Sequence, residues 1–481
     1  MTDQPTVALV VDNPLRDLPG LTLLAARLCI EGLVCHLVPM QRQDLEIRSL
    51  APDVVVMNYL RSGNERIVRQ FLDAGIAVLI SDTEGGILTS LDAYERTLSQ
   101  AEDVRSRISR YCSWGTTLAN HAVAKKWYRP DQVVITGAPR FDYYAPPWRE
   151  AALASSPWAD RLPTPLITIN GNFPIANPRF QSPDKERRML VEQFGHDPDE
   201  VAGWQSGQQL VLEELTALVN RLTARFPGSS FLYRPHPFEK LETYERYLVP
   251  RSNLAVEKTG TAEGWILRSC AVIQRNCTTA VEAGMAGVPA LSPTWIPVPF
   301  EVKAAEGPSV KCPSETDLEH HLAACIRGEM VIPEETRSAL NQTLEEWFFR
   351  VDGRSHERVA TEVMSSLTPN DRNTHARRCA AIGRPYFESG APVHQRLRTM
   401  ARAQLKQWLP PTAARLQPSR SEPPWKRSEK QFGVNDVRAT LVALSPLMGA
   451  PHDRLVAEQA GKAGSYVLPV HFGRAITIRR V

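Results

Sequence analysis

Residues 53–86 read D-V-V-V-M-N-Y-L-R-S-G-N-E-R-I-V-R-Q-F-L-D-A-G-I-A-V-L-I-S-D-T-E-G-G. Two short β-branched runs, 53–57 and 76–80, flank a segment at 64–74 whose apolar residues Ile67, Val68, Phe71 and Leu72 recur at helical spacing. A strand, a helix and a second strand joined by short turns form a right-handed βαβ crossover, which puts the two strands parallel in one sheet. The second strand runs into Ser81-Asp82-Thr83-Glu84-Gly85-Gly86, so these residues fall on a loop at the carboxyl edge, where open α/β sheets bind their ligands.

The same alternation extends both ways. Runs at 6–12 and 33–38 supply two earlier strands, and Arg110–Trp114 and Val133–Ile135 two later ones, closing a first Rossmann-like domain over 1–145. The segment 146–160, opening on two prolines, breaks both periodicities and reads as a linker. A second alternation fills 161–367, with strands at 166–170, 230–233, 254–256, 270–274 and 288–291, a long helix around 208–225 and another from about 278 to 286. The fold class expected is α/β, with two doubly wound domains facing a cleft.

From 368 the character changes. Between 371 and 430 there are 13 Lys/Arg against 4 Asp/Glu, whereas the whole chain of 481 residues has a formal charge of only +3. The basic character belongs to the 368–481 extension, and the chain carries no bulk affinity for nucleic acid. Within the extension, 394–409 places Leu397, Met400, Ala401, Leu405, Trp408 and Leu409 on one helical face with arginines mostly off it, a pattern suited either to an anionic membrane surface or to packing on the protein body. Five prolines at 410–424 read as an extended connector, and 466–470 is strand-like without an assignable place. Eight cysteines without a C-x-x-C pair argue against a zinc site or disulfide framework. The amino terminus lacks the basic and apolar regions of a signal peptide, so the expected location is cytoplasmic, with peripheral contact at the inner membrane face through 394–409.

Three loops carry the chemistry. Glu84, after a strand and before two glycines that let another molecule approach the backbone, is placed to act as general base, with Asp82 as its competitor; both residue types also serve as turn and cap residues. His236 in R-P-H-P (234–237) is stiffened by its flanking prolines and suited to donate to a nucleotide phosphate, with Arg234 forking onto the same phosphate or supporting the loop. Asn276, Thr278 and Thr279 open a helix, where free N–H groups and a hydroxyl favour an anion, and Glu282 one turn on is placed to accept from ribose hydroxyls. A fourth motif, T-G-A-P-R-F-D at 136–142, shapes the domain junction, with Arg140 and Asp142 as a candidate pair.

This order of an acidic-Gly motif, a His-Pro motif and a hydroxyl pair resembles the bacterial GT-B transferases that use CMP-activated acidic sugars, the sialyltransferases and Kdo transferases. The resemblance implies that Glu84 is the base, that His236 contacts the CMP phosphate and that Thr278 with Thr279 binds it. T-G-A-P-R-F-D, R-P-H-P and N-C-T-T-A-V-E-A-G-M-A-G-V-P together also look like the bacterial surface carbohydrate biosynthesis proteins. What both imply is a metal-independent glycosyltransferase with no cofactor beyond its nucleotide-sugar donor, a CMP-sugar, and a glycan or glycolipid acceptor in capsule or lipopolysaccharide synthesis. The alternatives are a CDP-polyol phosphotransferase of teichoic-acid type, a UDP-sugar 2-epimerase, which needs more acidic residues in the cleft than these motifs supply, and a non-catalytic glycan-binding protein.

Overall fold

The computed structural model describes residues 4–88, 91–192, 195–367, 378, 431–448, 455–460 and 475–480. The βαβ reading holds from the first residues. Strand β1 (Thr6–Val11) is buried almost throughout and enters helix α1 (Pro14–Ile30) through Asn13, whose Oδ1 accepts from the Leu15 N–H at 3.1 Å while Pro14 takes the first helical position, where no N–H is needed. Strands β2 (Val34–Pro39), β3 (Val54–Met57), β4 (Ala77–Ser81), β5 (Arg110–Ser113) and β6 (Val133–Ile135) then build a parallel sheet in the order β2-β1-β3-β4-β5-β6. The second sheet is formed by β7 (Leu166–Asn170), β8 (Ser230–Arg234), β9 (Leu254–Val256), β10 (Ser269–Gln274), β11 (Ala290–Pro293) and β12 (Val310–Cys312) in the order β12-β11-β10-β7-β8-β9, again parallel throughout. Of these, β12 was not foreseen. Two Rossmann-like sheets whose carboxyl edges line one cleft make the GT-B arrangement.

Strand order reverses between β1 and β3 in the first sheet and between β7 and β10 in the second. Helices leave opposite faces at such a point, and the crevice between their loops is where this architecture binds ligands. The Asp12–Arg16 and Tyr59–Arg61 loops open at the first reversal, and the Asn170–Asn172 and Cys277–Thr279 loops at the second.

Several boundaries differ from the sequence reading. The segment 146–160, expected to be an irregular linker, contains a helix at Trp148–Ala154 and a 3-10 turn at Pro157–Arg161, with Trp148 and Ala151 in the core and the Trp148 indole donating to the Gly353 carbonyl at 2.7 Å. Its prolines sit at the helix starts, where they are tolerated, which is why they did not break it. The long helix begins at Pro198, earlier than expected, because Asp197 caps it by accepting from the Asp199 and Glu200 N–H groups.

The largest difference lies at the chain's end. The helix Ser355–Ser365 crosses back onto α1, with Val359, Ala360 and Val363 in the first domain's core. The helix Val434–Leu444 also packs on α1, and strands β13 (Leu455–Gln459) and β14 (Ile476–Arg480) extend the first sheet antiparallel beside β2. The carboxyl-terminal residues are thus part of the first domain, where the sequence reading set 368–481 aside as an extension. The stretches 394–409, 410–424 and 466–470 lie outside the described residues. No helix among the described residues is long and apolar enough to cross a membrane.

Candidate functional site

Between the two sheets lies a cleft of about 670 Å3, and three of its walls are the loops singled out in the sequence. The 81–86 loop is held by its own residues. Asp82 is only 2% exposed; its Oδ1 accepts from the Glu84 N–H at 2.8 Å and its Oδ2 takes the Tyr94 hydroxyl, so the carboxylate is the hub of a turn. Burial raises its pKa. It lies beneath the cleft and does not line it, which removes it as a competitor for the role of base. Glu84 does line the cleft, 49% exposed, between Arg61 at 2.9 Å and Arg16 at 3.5 Å. Gly86 lines the cleft and also packs closely, since a Cβ there would sit 2.4 Å from the Trp114 ring.

Arg16, on the first turn of α1, also pairs with Asp12 at 2.9 Å and Asp17 at 2.8 Å. Burial works against its charge, yet Asp17, Asp12 and Glu84 together hold its pKa above the ordinary value. Arg61 is raised for the same reason, burial being outweighed by Asp82 and Glu84. Both cations stay charged at any working pH.

Across the cleft, the R-P-H-P loop hangs on one carboxylate. Glu239 is fully buried, and its Oε1 accepts from the His236 N–H at 2.9 Å and the Phe173 N–H at 3.0 Å, tying the loop after β8 to the loop after β7. Lys258 donates to the carbonyls of Pro237 and Glu239 from the other side. Within this frame the His236 Nδ1 accepts from the Phe238 N–H at 3.2 Å. A ring nitrogen that accepts carries no proton, so the neutral imidazole bears its hydrogen on Nε2 as a donor. Burial, Lys258 and Arg16 lower the His236 pKa to about 4, so this tautomer persists through neutral pH. Arg234 takes the supporting alternative: its guanidinium donates to the Thr259 and Gly260 carbonyls at 2.9 and 2.6 Å.

The third loop divides in two. Asn276 does not face the cleft; it adopts φ 61°, a left-handed conformation asparagine tolerates, and its side chain bonds the Phe300 carbonyl at 2.8 Å and the Val302 N–H at 2.6 Å, fixing the turn. Thr278 and Thr279 do line it, at the start of the helix Thr279–Ala286. The Thr279 hydroxyl donates to the Cys277 sulfur at 3.2 Å, and Thr278 is exposed and makes no capping bond with its side chain. Glu282 lies in the cleft, but its Oε2 accepts from the Tyr144 hydroxyl at 2.6 Å and its Oε1 is 4.0 Å from Arg140, so it joins the two domains. The expected Arg140–Asp142 pair is absent. Asp142 is buried and caps the helix Ser355–Ser365, accepting from the Ser355 and His356 N–H groups and the His356 ring, while Arg140 lies over Phe141 and Trp114.

Sequence reasoning missed Asp12, Arg16, Arg61 and Glu263. Glu263 is in the first turn of a short helix, Ala262–Ile266, and lines the cleft; burial, reinforced by Glu282, raises its pKa to about 7. Asp12 and Arg16 had a signal, since V-V-D-N-P-L-R ends a strand with an Asn-Pro helix start. Among the described residues the metal-ligating grouping is Asp92, Glu95 and His121, outside the cleft, where Glu95 already takes the Trp127 indole at 3.2 Å and Lys125 at 3.6 Å. The seven described cysteines are free.

No known family profile matches the chain, and no curated protein matches it in sequence. Solved structures similar in arrangement include a putative UDP-N-acetylglucosamine 2-epimerase from Listeria monocytogenes, 11% identical, spanning 77% of this chain and 98% of that one with a TM-score of 0.49. MnaA of S. aureus with UDP is 12% identical over 76% of this chain and 99% of its own, at a TM-score of 0.45. The wall teichoic acid polymerase TagF is 11% identical over 76% and 90%, also at 0.45. Likeness at this level concerns chain layout and says nothing of substrate.

Proposed function

We propose that the chain is an enzyme acting on a nucleotide-activated sugar, binding its phosphate between the His236 Nε2–H and the start of the helix Thr279–Ala286 and transferring the sugar to an acceptor. The observation that carries this reading is the His236 tautomer, fixed by the Phe238 N–H, beside a helix amino terminus with the uncommitted hydroxyl of Thr278. A neutral donor and free backbone N–H groups stabilise the charge that grows on a leaving phosphate, and they do so without a proton being moved.

In such a transfer the acceptor oxygen bonds to the anomeric carbon as that carbon's bond to the phosphate oxygen breaks. The acceptor's proton passes to a carboxylate, and the nucleotide leaves as its phosphate anion. Glu84 and Glu263 face the cleft from opposite domains as the candidate bases. Glu84 is paired with Arg16 and Arg61, whereas Glu263 titrates near neutrality. The CMP-linked acidic sugar expected from the motifs stays within this proposal as the first donor to try.

One observation favours a second reading, 2-epimerisation of a nucleotide-linked sugar: the cleft holds Asp12, Glu84, Glu263 and Glu282, supplying the acidic residues that the motifs alone lacked. The first test is calorimetric titration with CMP, CDP, UDP and GDP. We expect selective binding to one nucleotide, weakened at least tenfold by His236→Ala; equal binding by wild type and variant sinks the phosphate assignment. Incubation with the matching sugar nucleotide in deuterium oxide then separates the chemistries. Deuterium at C2 of recovered substrate marks epimerisation, and its absence alongside acceptor-dependent nucleotide release marks transfer.

A further inference from the structure

A second cavity, about 920 Å3, is lined by Arg234, Pro235 and Pro237 of the R-P-H-P loop. The two spaces adjoin along Leu15, Arg234, Pro235, Pro237 and Glu263, which line both. Its outer side is built by the carboxyl-terminal helix Val434–Leu444, which presents Asn435, Asp436, Ala439 and Thr440. Its floor is the turn Lys258–Thr261, and Trp158 lies against it, packed over Gly260 and Gly264, where any Cβ would strike the indole ring.

We propose that this cavity seats the sugar acceptor, a neutral oligosaccharide, with Glu263 facing it on one side and the donor on the other. The proposal rests on the nucleotide-sugar reading of the cleft and specifies where the acceptor comes from. Its cations are engaged by the protein's own backbone: Arg234 on Thr259 and Gly260, Lys258 on Pro237 and Glu239, and Arg179 on the Pro237 carbonyl at 3.5 Å. Of its acids, Glu257 pairs with Arg161 and Asp436 accepts from the Gly433 N–H at 2.7 Å, while Glu242 is exposed. The lining sets the carboxylates of Glu242, Glu257, Glu263 and Asp436 against the cations Arg179, Arg234 and Lys258, so it carries no excess positive charge to hold an anion. Amide, hydroxyl and carboxylate groups beside an indole and several proline rings match the alternating polar edges and apolar faces of a sugar chain. Glu263 lines both spaces, the placement required of a base that acts between an acceptor hydroxyl and a donor.

Two exposed positions on the 434–444 helix, Asn435 and Ala439, line the cavity one turn apart, so enlarging them fills it without disturbing the core. The test applies the full-length wild type, Ala439→Trp and Asn435→Trp to an array of bacterial surface-polysaccharide fragments, with parallel calorimetry against CMP and UDP. The expected result is retention of neutral oligosaccharides by wild type, reduced at least tenfold in both variants, with nucleotide affinity unchanged within twofold. Undiminished glycan retention by the variants, retention of acidic glycans only, or no retention by wild type overturns the proposal. Nucleotide binding without glycan retention rejects this inference and leaves the cleft reading standing. Variant-sensitive glycan retention without nucleotide binding keeps the cavity as a glycan site and rejects the cleft reading.

Discussion

A carboxyl that titrates near neutrality can hold or release a proton at working pH, and in this cleft Glu263 is in that position. Its raised pKa also has a cost in stability. The folded chain keeps a proton that the unfolded chain, with an ordinary glutamate, gives up at about pH 4.3, so stability falls as pH rises from there through about 7 and stays lower above it. Glu263→Gln therefore slows turnover by ~10²–10⁴-fold. The same variant is more stable than wild type by about 1–3 kcal/mol at pH 8 and equal to it at pH 4, readable as melting temperature against pH. A loss of stability at pH 8 contradicts the assignment. Glu263 was not legible in the sequence because A-E-G-W carries no motif: its importance comes from Thr261 starting a five-residue helix at the cleft edge. His236 was legible, since two prolines advertise a fixed loop, yet its tautomer depends on Phe238, which pattern cannot supply. Asp82 and Glu84 were indistinguishable in S-D-T-E-G-G, and only burial separates the hub of the turn from the residue that faces the cleft.

Among elements, β14 meets β2 beside a buried histidine. His36 on β2 is 8% exposed, bonds the Thr477 hydroxyl at 3.0 Å, and burial lowers its pKa to about 4. Below its ordinary value of about 6.5 the unfolded chain takes a proton that the folded chain refuses, so stability is lost as pH falls from 6.5 through 4, by up to ~3 kcal/mol from this group. Replacing it by His36→Asn, which keeps a hydrogen-bonding side chain, flattens that part of the acid limb; an unchanged melting curve between pH 6.5 and 4 counts against it. All the parallel strands of the two sheets except β12 could be read ahead of the structure, because their runs are apolar and bounded by turns. The strands β13 and β14 could not: L-V-A-E-Q and I-T-I-R-R are short, and what makes them strands is the open edge of β2, hundreds of residues away.

At the level of the whole molecule, the first domain is closed by segments from both ends of the chain, and the second is inserted between them. Leu455, Ala457, Ile476 and Ile478 are buried in the first domain's core. At ~1.5–3 kcal/mol for each large side chain, removing them forfeits on the order of 5 kcal/mol and bares the edge of β2. A chain stopped at Met448 is therefore expected to aggregate or to melt well below the intact protein, and soluble yield with calorimetry checks this. An equally stable truncated chain shows that the strands are dispensable. The cleft needs both domains as well, since Glu282 from the second takes Tyr144 from the first, and the second cavity needs the 434–444 helix.

The pairing of His36 with Thr477, 441 residues apart, also sets a timetable for synthesis. A ribosome adding about 5–20 residues per second takes ~20–90 s between making one strand and making its neighbour. Through that interval the nascent amino-terminal half carries an unfinished sheet with an open edge at β2. Residues 455–480 act as the fastener, so errors or stops before them fall on the half of the protein that was made first.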